Sequence, residues 1–157
     1  MITLFLIIPL TTAFLLAILH GAGRKAVNVI SVFSSLLLLG SVISAYFGGE
    51  LPVVYFFGGW KTPLGIVWVL DVFSLFALLM ISIVSLASVL YSVSYLEKFT
   101  APSKYYILLF LMISGMNGVV LSGDLFNMYV FLEIAAISSY ALIAFGLEKD
   151  ELGASFK

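Results

Sequence analysis

Cysteine is absent from this 157-residue chain, and histidine occurs once, at His20. Without thiols there is no disulfide, no iron–sulfur cluster and no thiolate metal site. The lone imidazole stands at what reads as a helix end, an interfacial position rather than a proton relay. Charge is scarce as well: Asp, Glu, Lys and Arg together make up 10% of the residues, and the formal net charge is −1. The few basic residues are scattered, so there is no nucleic-acid-binding face. No nucleophile beside a general base, no phosphate loop and no metal cluster occurs, so the chain is not expected to be catalytic alone. Neither a cofactor nor a metal is expected, and any redox chemistry nearby would belong to another chain.

What the chain has in abundance is apolar sequence. Hydrophobic residues are 63% of the total, in runs that approach the ~20 apolar residues needed to cross a ~30 Å hydrocarbon core. The pattern predicts an all-α fold, a polytopic transmembrane helix bundle forming one membrane domain over residues 1–157. Five spans are expected at about 2–19, 26–47, 71–95, 105–121 and 125–146, with an external loop at 48–70 and the start of a sixth helix at 152–157. Met1 leads into the first run with no basic segment before it, so that run is expected to stay as a membrane helix. Pro9 lies inside it, a kink that neighbouring helices can accommodate. In the second span Ser31, Ser34, Ser35, Gly40, Ser41 and Ser44 read as small residues for close helix packing. The 48–70 segment carries two short runs, VVYFF and GIVWV, suited to a hairpin lying over the bundle. Tyr55, Trp60 and Trp68 within it suit the headgroup level.

One ionisable side chain interrupts these spans. Glu133 sits within GDLFNMYVFLEIAAISSYALIAFGL, from Gly123 to Leu147. Asp124 is a good N-cap, and a rise of about 1.5 Å per residue puts Glu133 roughly 13 Å further in, near the bilayer midplane. A charged residue there costs about 2.5 kcal/mol or more on insertion scales, so it faces protein or water and marks an ion path. The plainer alternative is a protonated Glu that only hydrogen-bonds between helices. Tyr129, Val130, Ala136, Ile137 and Tyr140 share its helix face, and none neutralises a carboxylate, so its cation is expected from outside the chain. Asp71, at the mouth of the third span, reads most simply as a helix cap, with an accessory role in conduction as the alternative. Ser114, Gly115, Asn117 and Gly118 form a small and polar patch suited to contact with the Glu133 helix. Only Ser122 and Gly123 separate the fourth span from Asp124, so the fourth and fifth helices should be antiparallel neighbours.

Loop charges orient the bundle. Arg24, Lys25, Lys98, Lys104 and Lys149 follow the odd-numbered spans, with Lys157 just beyond, whereas the other side has only Lys61. By the positive-inside rule the N-terminus lies outside and the Lys149 end in the cytoplasm.

The run YYILLFLMISGMNGVVLSGDLFNMYVFLEIAAISSYALIAFG, followed by ELGASFK, resembles the D subunit of Mrp-type cation/proton antiporters. It equally resembles the antiporter-like subunits of respiratory complex I and of membrane-bound hydrogenases. GDLFN…E…SSYALIA is the most specific part, and WVLDVFSLFALL, from Trp68 to Leu79, is similar to the family's approach to its third helix. This resemblance implies that Glu133 falls on the family's fifth-helix glutamate, which takes part in proton translocation. It also implies that Lys157 falls on a lysine at the start of the sixth helix. Relatives of full length carry further helices, two of them broken, and a buried lysine on the seventh that pairs with that glutamate. The chain therefore resembles an N-terminal portion, with the missing antiporter helices expected from a companion chain.

The expected function is that of a proton- or Na⁺-translocating, antiporter-like membrane subunit in a prokaryotic cytoplasmic membrane. It would work within a respiratory, hydrogenase or Mrp-type complex, with other membrane subunits and the lipid bilayer as partners and no nucleic acid. Glu133 would be a switchable site, because a nearby cation favours the carboxylate and hydrocarbon burial favours the acid. The alternative is a structural or assembly subunit of such a complex without its own ion path.

Overall fold

The computed structural model describes residues 2–19, 21, 23–48, 51–60, 65–96 and 102–145. Within them lie five helices: α1 (Leu4–Ile18), α2 (Arg24–Gly48), α3 (Val72–Tyr95), α4 (Pro102–Leu121) and α5 (Leu125–Ile143). Between α2 and α3 stand two short antiparallel strands, β1 (Val53–Phe56) and β2 (Val67–Leu70), paired in the register Val53 to Leu70, Tyr55 to Trp68 and Phe56 to Val67. A turn of 3₁₀ helix at Phe57–Gly59 follows β1, with Gly58 and Gly59 at positive φ, where a Cβ would be strained.

Four of the helices, α2 to α5, are long and apolar enough to cross a membrane. α1 is equally apolar but has 15 residues, about 22 Å of helix and short of a ~30 Å core. Its described start and end fall inside the 2–19 range that composition suggests, and α2 begins earlier than expected, at Arg24.

α4 organises the bundle, packing most extensively on α5 and α1, and also on α3 and α2, while α2 packs on α1 and α3. Its buried side is wide: Tyr106, Phe110, Ile113, Asn117 and Leu121 are almost wholly enclosed. Two apolar clusters result. One gathers Leu16, Val27, Leu38, Val89, Tyr106, Phe110 and Ile113; the other, at the hairpin end, gathers Phe5, Val42, Trp68, Leu75, Leu78 and Leu121.

The interior is rich in hydroxyls and the exterior in large apolar groups. Ser31, Ser35, Ser82, Ser85, Ser92 and Ser114 are buried, whereas Phe14, Phe33, Phe47, Phe73, Phe76 and Phe126 are exposed. That inversion is what lipid allows, since hydrocarbon solvates phenylalanine and small side chains let helices close. Most of these hydroxyls cost nothing to bury because they donate within their own helix: Thr12 to the Ile8 carbonyl at 2.7 Å, Ser31 to Val27 at 2.9 Å, Ser82 to Leu79 at 2.9 Å and Ser92 to Ser88 at 2.6 Å. Of the small residues expected to pack α2, Ser31 and Ser35 do so; Gly40 and Ser44 face outward.

Candidate functional site

The site is built from the α4–α5 turn. Asp124 caps α5, its Oδ1 accepting from the Asn127 backbone N–H at 2.7 Å, and its Oδ2 accepts from the Val67 N–H of β2 at 3.2 Å. Beside it the Gly123 N–H donates to the Val67 carbonyl at 2.7 Å, and Ser122 forms a single bridge with Trp68. The buried Asn127 side chain donates to Ser122 Oγ at 3.0 Å, and that hydroxyl donates to the Gly118 carbonyl at 2.7 Å. The start of α5 is therefore tied both to α4 and to the hairpin. Both carboxylate oxygens of Asp124 are engaged by backbone N–H groups, so it acts as a structural clamp.

Asp71 does the same for α3. Its Oδ1 accepts from the Ser74 N–H at 2.7 Å and from the Ser74 hydroxyl, while Ser74 Oγ accepts from the Asp71 N–H at 3.0 Å, closing a capping box. The Ser74 hydroxyl, then the Ser74 N–H, hold the exposed Asp71 carboxyl below its ordinary value.

α5 meets α4 along one narrow face. A Cβ on Gly115 would lie 2.6 Å from the Ala135 nitrogen, and one on Gly118 would overlap the Phe131 ring, so both positions need glycine for the backbones to approach. Asn127 and Ser138 are the buried residues of α5 on this face. At about 100° per residue, Glu133 lies roughly 200° around from Phe131, on the side away from α4. Phe126, Tyr129, Ile137 and Tyr140 share that side and are exposed; Glu133 itself is half-buried. Tyr129, one turn earlier, hydrogen-bonds the Glu133 carboxylate.

Glu133 is the ninth of the nineteen residues of α5. Among the described residues it is the only charged one away from a helix end: Arg24, Lys25 and Lys104 lie in first turns, and Asp71 and Asp124 are caps. No described group of three or more His, Asp or Glu is placed to hold a metal ion. Lys157, His20, Lys61, Lys98 and Lys149 lie outside the described residues, as does the expected sixth-helix start.

Two sequence expectations are corrected. Trp68 is not at the headgroup level but buried, stacked edge-on against Phe57 with ring centroids 4.6 Å apart and lying 6.4 Å from Phe131, so the hairpin packs onto α5 through it. Alternation in β2 turns Trp68 inward, whereas Tyr55 and Trp60 are exposed. Of the patch expected to meet α5, the two glycines do so, but Asn117 points to α1, where its Nδ2 donates to the Phe5 carbonyl at 2.8 Å. Composition marks a helix as able to pack closely; only its angular position decides on what.

No family model matches the chain. Among curated proteins it is 34% identical to the D subunit of the Na⁺/H⁺ antiporter of Bacillus subtilis, over 98% of this chain and 32% of that protein. It is 32% identical to the N subunit of the NADH-quinone oxidoreductase of Desulforudis audaxviator, over 91% of this chain and 30% of that protein. Among solved structures, a chain of the membrane-bound sulfane sulfur reductase, an archaeal respiratory membrane complex, superposes with a TM-score of 0.88 and 30% identity, over 99% of this chain and 32% of that one. A chain of the Mrp complex from a Dietzia species gives 0.85 and 27%, over 99% and 30%.

Fold and composition define a multi-pass membrane protein, an all-α bundle of apolar helices. In sequence and in fold it resembles the D subunits of Mrp-type antiporters and the antiporter-like subunits of respiratory complexes. The chain spans about a third of the length of these relatives.

Proposed function

We propose that this chain is an antiporter-like, ion-translocating membrane subunit with Glu133 as its proton-exchanging carboxyl. It works within a multi-subunit complex in the cytoplasmic membrane of a prokaryote, with its N-terminus outside. The observation that carries this reading is the position of Glu133: mid-helix, charged, and on the side of α5 that α4 leaves uncovered. A carboxyl in such a place is kept against an insertion cost of about 2.5 kcal/mol or more, which fits an ion path better than packing. The names of its relatives, antiporter subunits among them, support the same class.

Helices from another segment or chain would cover this face and bring the cation that the described helices do not supply. As that cation nears to about 4–6 Å the carboxylate is favoured, and as it withdraws in an apolar setting the acid is favoured. Glu133 thereby takes up and releases one proton per cycle, or exchanges it for Na⁺. Lys157 is carried as a second translocation residue on the resemblance alone.

Glu133→Gln tests the reading, because it keeps shape and much of the hydrogen bonding yet does not ionise. In the complex purified from its native membrane and reconstituted in vesicles, ion-coupled proton movement should fall to background while the set of co-purifying chains is unchanged. Native-rate transport with Gln would refute it, and collapse of assembly would favour a scaffold role.

A further inference from the structure

Glu133 supplies the charge, and Tyr129 is the described residue that touches it. The two lie one helical turn apart on α5, the i, i+4 spacing at which side chains meet, and the phenol hydrogen-bonds the carboxylate. Both stand on the side facing away from α4, so no group of α4 competes for either. The surrounding titratable groups are remote from the pair. On α5, Tyr140 is two turns further along. On α4, Lys104, Tyr105 and Tyr106 sit at its beginning, next to the far end of α5, where the Tyr105 and Phe145 rings are 5.4 Å apart. Asp124 and Tyr55 belong to the hairpin end, and Asp124 is fully engaged there. A phenylalanine would fill the apolar face of α5 as well as tyrosine does, as Phe126 shows one turn earlier. The hydroxyl is what the carboxyl uses.

We propose that Tyr129 is a positioning residue of the proton site. Its O–H donates to the ionised Glu133, holds the carboxylate along the outer face of α5, and leaves the second oxygen free for the incoming proton or the approaching cation. When Glu133 takes up the proton, the phenol keeps its own hydrogen and no bond to it is broken. This inference rests on the reading of Glu133 as a proton-exchanging group.

The test uses the complex reconstituted in vesicles, with transport measured against pH for the native chain, Tyr129→Phe and Glu133→Gln. Losing one hydrogen bond to the ionised carboxyl should move the half-maximal point of the profile upward by about one pH unit. The infrared carbonyl band of protonated Glu133, identified by its absence in Glu133→Gln, should shift in Tyr129→Phe. A profile and band that coincide with the native ones, while Glu133→Gln is inactive, overturn the role of Tyr129 and leave the proton site standing. An active Glu133→Gln removes both. Assembly is followed by co-purification, and a Phe variant that fails to assemble makes Tyr129 structural and overturns the proposal.

Discussion

Asn117 of α4 donates its side-chain amide to the backbone carbonyl of Phe5 in α1, and that carbonyl is the one Pro9 leaves without its helical partner. In an α-helix the N–H of residue 9 would bond the oxygen of residue 5, and proline has no N–H. In hydrocarbon the stranded acceptor would be costly, so a neighbouring helix supplies the donor. α1 and α4 are thereby locked in register by a polar residue only 1% exposed.

Replacing Asn117 by Leu should destabilise the chain by about 1 kcal/mol, in line with interhelical hydrogen bonds in membranes averaging ~0.6 and a carbonyl left unpaired. Pro9→Ala restores an N–H for Phe5, so the same Asn117 change should cost less in that background. A double-mutant cycle in detergent unfolding measures the coupling, and strict additivity would show that the two residues do not share the carbonyl.

Gly118→Ala should weaken the docking of α5 on α4 by about 1–3 kcal/mol through overpacking against Phe131. Gly40→Ala, on an open face of α2 with nothing within 4 Å of the new Cβ, should be neutral or slightly stabilising. Thermal midpoints of the two variants side by side separate close packing from a general intolerance of glycine replacement.

Asp71 makes stability depend on pH in a defined direction. Its carboxyl titrates below the ordinary 3.8 in the folded chain, because the Ser74 hydroxyl and N–H bond the ionised form. Its contribution is therefore complete above pH 3.8 and is lost as pH falls through the lower folded value. In Asp71→Asn that part of the acid destabilisation should disappear, which melting curves collected down to about pH 3 would show as a shallower slope.

Orientation is open to direct measurement. A reporter fused after Lys104 should read as cytoplasmic and one inserted near Gly59 as external, because Arg24, Lys25 and Lys104 stand at one end of the bundle and the hairpin at the other. The opposite pattern would invert the assignment of sides.

The apolar runs, the two acidic caps and the depth of Glu133 were legible in the sequence, because each depends on distance along the chain. A helix rises by a constant step, so the spacing from Asp124 to Glu133 already places the carboxyl mid-span, and a carboxylate just before an apolar run is a local signal. The VVYFF and GIVWV runs likewise carried the hairpin. The partners of each face were not legible. That Asn117 repairs the gap left by Pro9, that Trp68 is buried between Phe57 and Phe131, and that Gly40 faces outward depend on how helices are rotated and stacked. Periodicity is a weak guide to rotation when nearly every position is apolar, since lipid and protein then accept the same side chains. The side of α5 on which Glu133 stands was decided by the two glycines of α4, where backbones close to contact at Ala135 and Phe131 and leave the carboxyl facing away.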